Sequence, residues 1–136
     1  MGSELSIRMS SQQGRVPVTV FHITGEINAN TADQLQTQAR EAFDSGMRNL
    51  VLDLSQVPYI SSAGLRAIHA TFTLLRSKGP EESTEVVSKG LRNGTYKSLH
   101  LKLLNPTPSV SEVLKISGFD MYLETHHDLQ DAVASF

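Results

Sequence analysis

The sequence contains no cysteine, and this absence removes several classes of chemistry at once. Disulfide bridges, thiolate metal sites and cysteine nucleophiles are all excluded, as is common for proteins of a reducing compartment. No apolar run approaches the roughly 20 residues needed to span a bilayer. The N-terminus also lacks the basic and then apolar segments of a signal peptide. We therefore expect a cytoplasmic protein with no membrane partner.

An excess of charge of one sign is also missing. The 136 residues carry a formal charge of −2, and the pI is near 6.2. No broad basic surface is therefore available for a nucleic acid, and we expect none to bind. Hydrophobic residues make up 39% and charged residues 19%, which indicates a globular protein with a core. We predict a single domain over residues 1–136.

The motifs of common catalytic and cofactor sites are absent as well. There is no G-x-S-x-G, because Ile60 stands where a nucleophile elbow around Ser62 needs glycine. There is also no Walker-type loop and no G-x-G-x-x-G. No acidic residue can be paired convincingly with a histidine from the sequence, and none of the histidines shows metal-ligand spacing: His22, His69, His100, His126 and His127. We expect no enzymatic activity, no cofactor and no metal.

Alternating strand and helix patterns predict an α/β fold. Residues 4–9 are predicted as an edge strand, 10–15 as a hairpin turn and 16–24 as a strand rich in β-branched residues. The patterns that follow are a helix capped by Asn30 or Thr31 and ended by Gly46, a strand at 50–54, a helix over about 62–78, a strand at 99–104, a helix from Ser109 to Ile116, a short strand at 121–123 and a helix at 128–136. This order predicts a mostly parallel, mixed sheet of about five strands with about four covering helices.

Residues 50–68 carry most of the functional signal. A buried-strand pattern interrupted by Asp53 leads through a turn to Ser61 and Ser62, and a helical pattern begins at Ala63. For Asp53, hydrogen bonding to nearby backbone in the following turn is the favoured interpretation. Serine at a helix N-terminus lies where unpaired N–H groups favour a phosphoryl group. The pattern is typical of a switch rather than a catalyst, although the same serines also suit a plain capping role.

Residues 53–65, DLSQVPYISSAGL, resemble the STAS family, whose bacterial members include anti-sigma factor antagonists. The segments 23–27, 101–104 and 113–118 are also similar to the family, so the resemblance covers about 110 of the 136 residues. In phosphorylation-regulated members, the hydroxyl residue directly before the motif's glycine accepts phosphate from a partner kinase. Ala63 occupies that position here. Because alanine cannot be phosphorylated, two alternatives stay open: Ser62 is the phosphoacceptor, with Ser61 as the second candidate, or the protein binds its partner constitutively.

The resemblance implies a non-enzymatic regulator: an anti-sigma factor antagonist that binds a serine-kinase-like anti-sigma factor. Such partner switching would regulate transcription. The alternative is a STAS interaction module in another signalling assembly, without a sigma factor. The partner-binding residues that we predict are Asp53, Ser55, Ser61, Ser62, Gly64, Leu65, Arg66 and His69.

Residues 79–97 depart from the family, whose members usually join this helix to the next strand by a short turn. The segment is polar and contains glycine, so we predict a mobile insertion outside the core. Replacing residues 80–96 with a short Gly-Ser connector should keep the melting temperature within a few degrees, because loop closure entropy grows only logarithmically with length. A thermal unfolding scan tests this. Loss of folding would place Val86, Val87 and Leu91 in the core instead.

Overall fold

The structure is a computed structural model, and it describes residues 5–76 and 98–136. Within these ranges the chain forms one five-stranded sheet and four α-helices. The strands are β1 (Ser6–Gln13), β2 (Pro17–Thr24), β3 (Leu50–Gln56), β4 (Leu101–Leu104) and β5 (Thr125–His126). The helices are α1 (Ala32–Asp44), α2 (Ser62–Arg76), α3 (Pro108–Ile116) and α4 (Leu129–Ala134), with a short 3-10 helix at Phe119–Met121.

The strands lie in the order in which they occur along the chain. β1 and β2 form an antiparallel hairpin, and the pairs β2–β3, β3–β4 and β4–β5 are parallel. A helix follows each parallel strand before the next strand begins, as crossover connections require. The predicted fold class, a mixed and mostly parallel sheet with covering helices, is confirmed.

The two faces of the sheet bury different clusters. On one face, alternate residues of β3 such as Leu52 and Leu54 pack with apolar residues of α1, α2 and α3 in the larger cluster. On the other face, Val51 packs in a smaller cluster with β2, β4 and α4. Because neighbouring strand residues point to opposite faces, β3 contributes to both clusters and is buried on both sides.

The first hairpin is longer than its sequence indicates. Residues 10–13, which we predicted as part of a turn, belong to β1, and each of them pairs with a residue of β2. Only three residues, 14–16, connect the strands. The prediction was wrong because pairing along a well-formed neighbour stabilises a polar strand whose own sequence has little β-propensity. β1 nevertheless lies at the edge of the sheet, as predicted.

The last third of the chain contains two further corrections. Thr107, not Ser109, caps α3: its Oγ1 accepts from the N–H of Val110, and Pro108 occupies the first helical position, where a missing N–H costs nothing. Residues 121–123 form no strand, because Phe119–Met121 is a 3-10 helix and the strand comes later, at 125–126. The predicted end of α2 at residue 78 and the predicted insertion at 79–97 lie outside the described residues.

Helix α4 joins the first hairpin to the last strands. Its Val133 lies so close to Gly14 that a Cβ on Gly14 would stand 2.9 Å from both Cγ1 and the carbonyl oxygen of Val133. At the same C-terminal end of α4, the Nζ of buried Lys102 lies 3.0 Å from Glu124 Oε1 and donates to the carbonyl of Ser135 at 3.2 Å. A lysine stem therefore crosses the sheet face and holds the end of α4 with its charged head.

Replacing Glu124 with glutamine should lower the melting temperature at neutral pH by a few degrees, because it leaves the buried Lys102 ammonium without its counter-charge. Burial raises the pKa of Glu124, but hydrogen bonds from Lys102 and His126 outweigh it, so its pKa is lowered in the folded protein. The stabilisation is therefore present above the unfolded pKa and is lost as pH falls through the folded pKa. Thermal scans of wild type and E124Q should converge in acid. E112Q, at an exposed site on α3, is the matched control, and an equal effect there would contradict the prediction.

Candidate partner-binding site

The start of α2 is fixed by a short parallel contact beyond the ends of β2 and β3. Ile27 and Ile60 form an isolated parallel bridge, and both side chains are buried. The N–H of Ile27 donates to Tyr59 at 3.1 Å, and the N–H of Ser61 donates to the Ile27 carbonyl at 2.9 Å. These bonds hold the residue before the helix against the neighbouring loop, so the helix N-terminus has a defined position.

Ser61 and Ser62 have different environments. Ser61 is half-buried, and its Oγ accepts from the N–H of Gly64 at 3.3 Å, while its carbonyl accepts from the N–H of Leu65 at 2.9 Å. This is the geometry of an N-cap, which matches the plainer interpretation of this serine. Ser62 is the first helical residue and is exposed. Its hydroxyl therefore lies on the surface beside the positive end of the helix.

Gly64 permits a close approach between α2 and the bridge. A Cβ at this position would lie 2.5 Å from the Ile27 carbonyl oxygen and 2.6 Å from Ile60 Cγ1. The first of these neighbours is backbone and cannot move without disturbing the bridge. Glycine at this position is therefore required by packing, and its role in the site is to bring the first turn of α2 into contact with Ile27.

A groove of about 460 Å³ opens directly beside Ser62. Its lining is mostly apolar and consists of Ser62, Leu65, Arg66, His69, Ala70 and Phe119. Leu65 and Phe119 are only partly buried and pack against the main core. The groove is thus an extension of the core to the surface, and four of its residues are among those that we predicted to bind a partner.

An aromatic cluster supports the groove from behind. The ring of Tyr122 packs edge-on against Phe72, with centroids 5.0 Å apart, and lies 5.6 Å from Phe119. Its hydroxyl lies 3.3 Å from Nδ1 of His69, and burial raises the pKa of Tyr122 to about 12. The phenol therefore stays protonated at physiological pH and holds the His69 ring at the groove wall.

The polar stripe of α2 carries the charge of this surface. Arg66, His69 and Thr73 are exposed and follow one another at the three- and four-residue spacing that aligns side chains on one side of a helix. Among the described residues, no carboxylate forms an ion pair with Arg66. Arg66 stands four residues after Ser62, the spacing at which helix side chains can meet. The surface around Ser62 therefore combines an apolar groove with a guanidinium that faces solvent.

Asp53 and Ser55 lie on the opposite face of the sheet from α2. They follow Val51 at alternate positions of β3, so they share the face of the smaller cluster. Asp53 Oδ1 accepts from the N–H of Ser55 at 3.1 Å and from its hydroxyl at 2.8 Å, and Oδ2 lies 2.8 Å from Nδ1 of His22. The expected hydrogen bond of Asp53 to nearby backbone is present, but its donor Ser55 belongs to β3 and not to the following turn. The structure does not bring Asp53 and Ser55 together with Ser62.

Burial raises the pKa of Asp53, but the hydrogen bonds from His22 and Ser55 outweigh burial, and the net pKa lies below its ordinary value. The pairing of Asp53 with His22 was missed from the sequence, where we found no acid and histidine to pair. It depends on the register that sets His22 opposite Asp53 across β2 and β3. Phe119 was also missed as a groove residue, because no periodic pattern connects it to α2.

No described group of three histidine, aspartate, cysteine or glutamate side chains is arranged to hold a metal ion. Among the residues that the structure describes, no helix is both long and apolar enough to cross a bilayer.

Comparison with known proteins identifies the family. The STAS domain model matches residues 9–81, more than half of the chain, and the chain belongs to the STAS domain family. A relative from Bordetella bronchiseptica, named "Putative anti-sigma factor antagonist BtrV", is 32% identical over 114 residues. The match covers 84% of this chain and 82% of that protein.

Solved structures share the fold. An anti-sigma factor antagonist from Mycobacterium paratuberculosis has a TM-score of 0.70 at 21% identity, over 96% of this chain and 92% of that chain. The anti-sigma factor antagonist SpoIIAA in its unphosphorylated form has a TM-score of 0.66 at 14% identity, over 94% and 93%. At these identities the likeness shows the common sheet and helix arrangement.

Substituting alanine for Gly64 should reduce the free energy of unfolding by about 1–3 kcal/mol, because the new methyl group overlaps the Ile27 carbonyl. Denaturant unfolding monitored by circular dichroism measures the change. Ser62→Ala, two residues earlier at an exposed position, is the matched control and should change stability by less than about 0.5 kcal/mol. Equal stability of G64A and wild type would contradict the close approach.

Proposed function

We propose that this protein is an anti-sigma factor antagonist that acts in the cytoplasm by binding a serine-kinase-like anti-sigma factor. Its regulatory role then needs a binding surface and no catalytic step. The observation that carries the proposal is an exposed serine, Ser62, at the N-terminus of α2 beside an apolar groove. Membership of the STAS family and the similarity to the Bordetella relative support it.

The partner surface in this proposal is the groove together with the first three turns of α2. The apolar wall formed by Leu65, Ala70 and Phe119 suits an apolar side chain of the partner, and Arg66 at the rim suits a carboxylate. In this proposal Ser61 and Gly64 do not contact the partner, and their contribution is to fix the position of the α2 N-terminus. A partner role for Asp53 and Ser55 stays a prediction, since they lie on the other sheet face.

Ser62 is the proposed phosphoacceptor. Phosphorylation would add about −1.5 to −2 charge next to the helix N-terminus, where the dipole favours an anion. Arg66, one helical turn further on, is placed to approach that phosphate and would then be less available to the partner. The fold would tolerate the modification while the surface that binds the partner changes its charge. The fold neighbour SpoIIAA is known in both unphosphorylated and phosphorylated forms.

The second candidate function is a STAS interaction module in a signalling assembly that contains no sigma factor. Ala63 favours it, because phosphorylation-regulated members of the family carry their acceptor hydroxyl at this position. Affinity purification from the source cell separates the two candidates. Recovery of a protein with a histidine-kinase-like ATPase domain supports the first candidate, and recovery of other signalling proteins without a sigma pathway component supports the second.

Ser62→Asp should weaken binding to the kinase-like partner about tenfold or more, with the melting temperature within about 2 °C of wild type, because only the surface charge changes. Ser62→Ala should bind as wild type does. Ser111→Asp places the same charge on the exposed face of α3 and controls for a general charge effect. Calorimetric titration gives the affinities. Equal binding by all variants would remove Ser62 from the switch and leave it as a surface residue at a helix start.

A further inference from the structure

The sheet face opposite α2 carries a chain of hydrogen bonds that the proposed function does not use. Ser10 Oγ lies 2.9 Å from Nε2 of His22, and Nδ1 of the same ring lies 2.8 Å from Asp53 Oδ2. The serine, histidine and carboxylate are linked through the same atoms, in the same order, as the nucleophile, base and orienting group of a serine hydrolase. The three residues come from three different strands.

Strand register explains why these residues meet. Arg8 is opposite His22, and His22 is opposite Asp53, so β1, β2 and β3 contribute side chains to one row on one face. Ser10 lies two residues from Arg8 on β1, and its hydroxyl therefore reaches the His22 ring diagonally on that face. The row forms only if the register of the antiparallel pair β1–β2 and the register of the parallel pair β2–β3 both place these side chains next to one another.

The hydrogen bonds assign the His22 tautomer. Asp53 Oδ1 already accepts two hydrogen bonds from Ser55, which fixes the carboxylate plane and turns Oδ2 toward the ring. An ionised carboxylate can only accept, so His22 must donate from Nδ1. In neutral His22, Nε2 then carries the lone pair and accepts the Ser10 hydroxyl proton. This is the arrangement that activates a serine oxygen.

The chain of hydrogen bonds is accessible to small molecules from solvent. The side chains of His22 and Asp53 are 21% and 17% exposed. Ser10 is half-buried on β1, which in the described structure pairs only with β2 and forms the edge of the sheet. Helix α4 packs on Val18, Val20 and Val51 of the same face, and so covers the neighbouring rows.

We propose that Ser10 is an activated nucleophile that reacts with small activated esters, with His22 as its general base and Asp53 as a positioning residue. In the first step, Ser10 Oγ forms a bond to the carbonyl carbon of the ester, and its proton moves to His22 Nε2. The tetrahedral adduct then expels the alcohol or phenol oxygen, which takes the proton from His22. Water then gives a proton to His22 as its oxygen bonds to the acyl carbon. This second adduct breaks the bond to Ser10 Oγ, which takes the proton back from His22, and the acid is released.

The test uses the whole protein and two reagents. p-Nitrophenyl acetate is the ester whose hydrolysis is measured, and a small fluorophosphonate identifies the residue that reacts. With the fluorophosphonate, Ser10 Oγ forms a bond to phosphorus as fluoride leaves, and peptide mass spectrometry locates the adduct. We expect the adduct on Ser10 and none on Ser10→Ala. Ser11→Ala, which changes the next hydroxyl along β1 on the other face, should react as wild type does. An adduct at another residue, or unchanged labelling in Ser10→Ala, would overturn the proposal.

Two further variants separate activation from simple exposure. His22→Gln keeps hydrogen-bonding groups of similar reach but has no basic nitrogen, and it should slow labelling about a hundredfold. In Asp53→Asn, the Ser55 donors hold the amide oxygen, so the amide nitrogen faces His22 and donates to Nδ1. His22 then carries its proton on Nε2 and cannot accept from Ser10, and labelling should fall similarly.

The protonation of the two His22 ring nitrogens shows directly whether the ring proton moves from Nδ1 to Nε2 in Asp53→Asn. Nitrogen-15 NMR should show Nδ1 protonated in wild type and Nε2 protonated in Asp53→Asn, with both proteins folded by their melting curves. Labelling of either variant at the wild-type rate would show that Ser10 reacts only because it is exposed, and the proposal would fail. The same conclusion follows if wild-type His22 carries its proton on Nε2.

Discussion

The backbone contact between Ile27 and Ile60 is the constraint on which the candidate site depends. The parallel strands β2 and β3 end before this point, and the bridge adds one more parallel backbone contact after them. This contact reaches Ser61, the residue that caps α2. A side chain at position 64 would push the helix away from this contact. The position of Ser62 is therefore set by packing of buried groups, while its hydroxyl itself remains in solvent.

This arrangement separates two kinds of chemistry on the two sheet faces. On the face covered by α1, α2 and α3, the core continues outward into the groove beside Ser62, where apolar surface and a guanidinium suit protein binding. On the other face, a row of polar side chains crosses β1, β2 and β3, with the Asp53 carboxylate held ionised by its hydrogen bonds. β3 connects the two, because its alternate residues serve both faces.

The sequence was sufficient for the order of elements wherever local patterns were strong. Helix α1, the buried strand β3 and the start of α2 at the two serines all appear at their predicted places. Arg66 and His69, which we predicted to bind a partner, are both exposed on α2, because their exposure depends only on helix geometry.

The errors occur where distant parts of the chain decide the local structure. Ser10 was predicted in a turn, and only pairing with Val20 makes it a strand residue. His22 and Asp53 are 31 residues apart, so their hydrogen bond depends on a register that no local pattern contains. Phe119 enters the groove through the 3-10 helix that replaces a predicted strand.

The contact between Gly14 and Val133 has a consequence for folding during synthesis. The apolar face of the first hairpin, formed by Val18 and Val20, is covered by residues of α4 near the other end of the chain. The hairpin therefore leaves the ribosome long before α4 has been synthesised. Until then, the side chains of Val18 and Val20 are exposed to water or to a chaperone. Closure of this face is a contact of very long sequence separation, which makes it a slow and late event in folding.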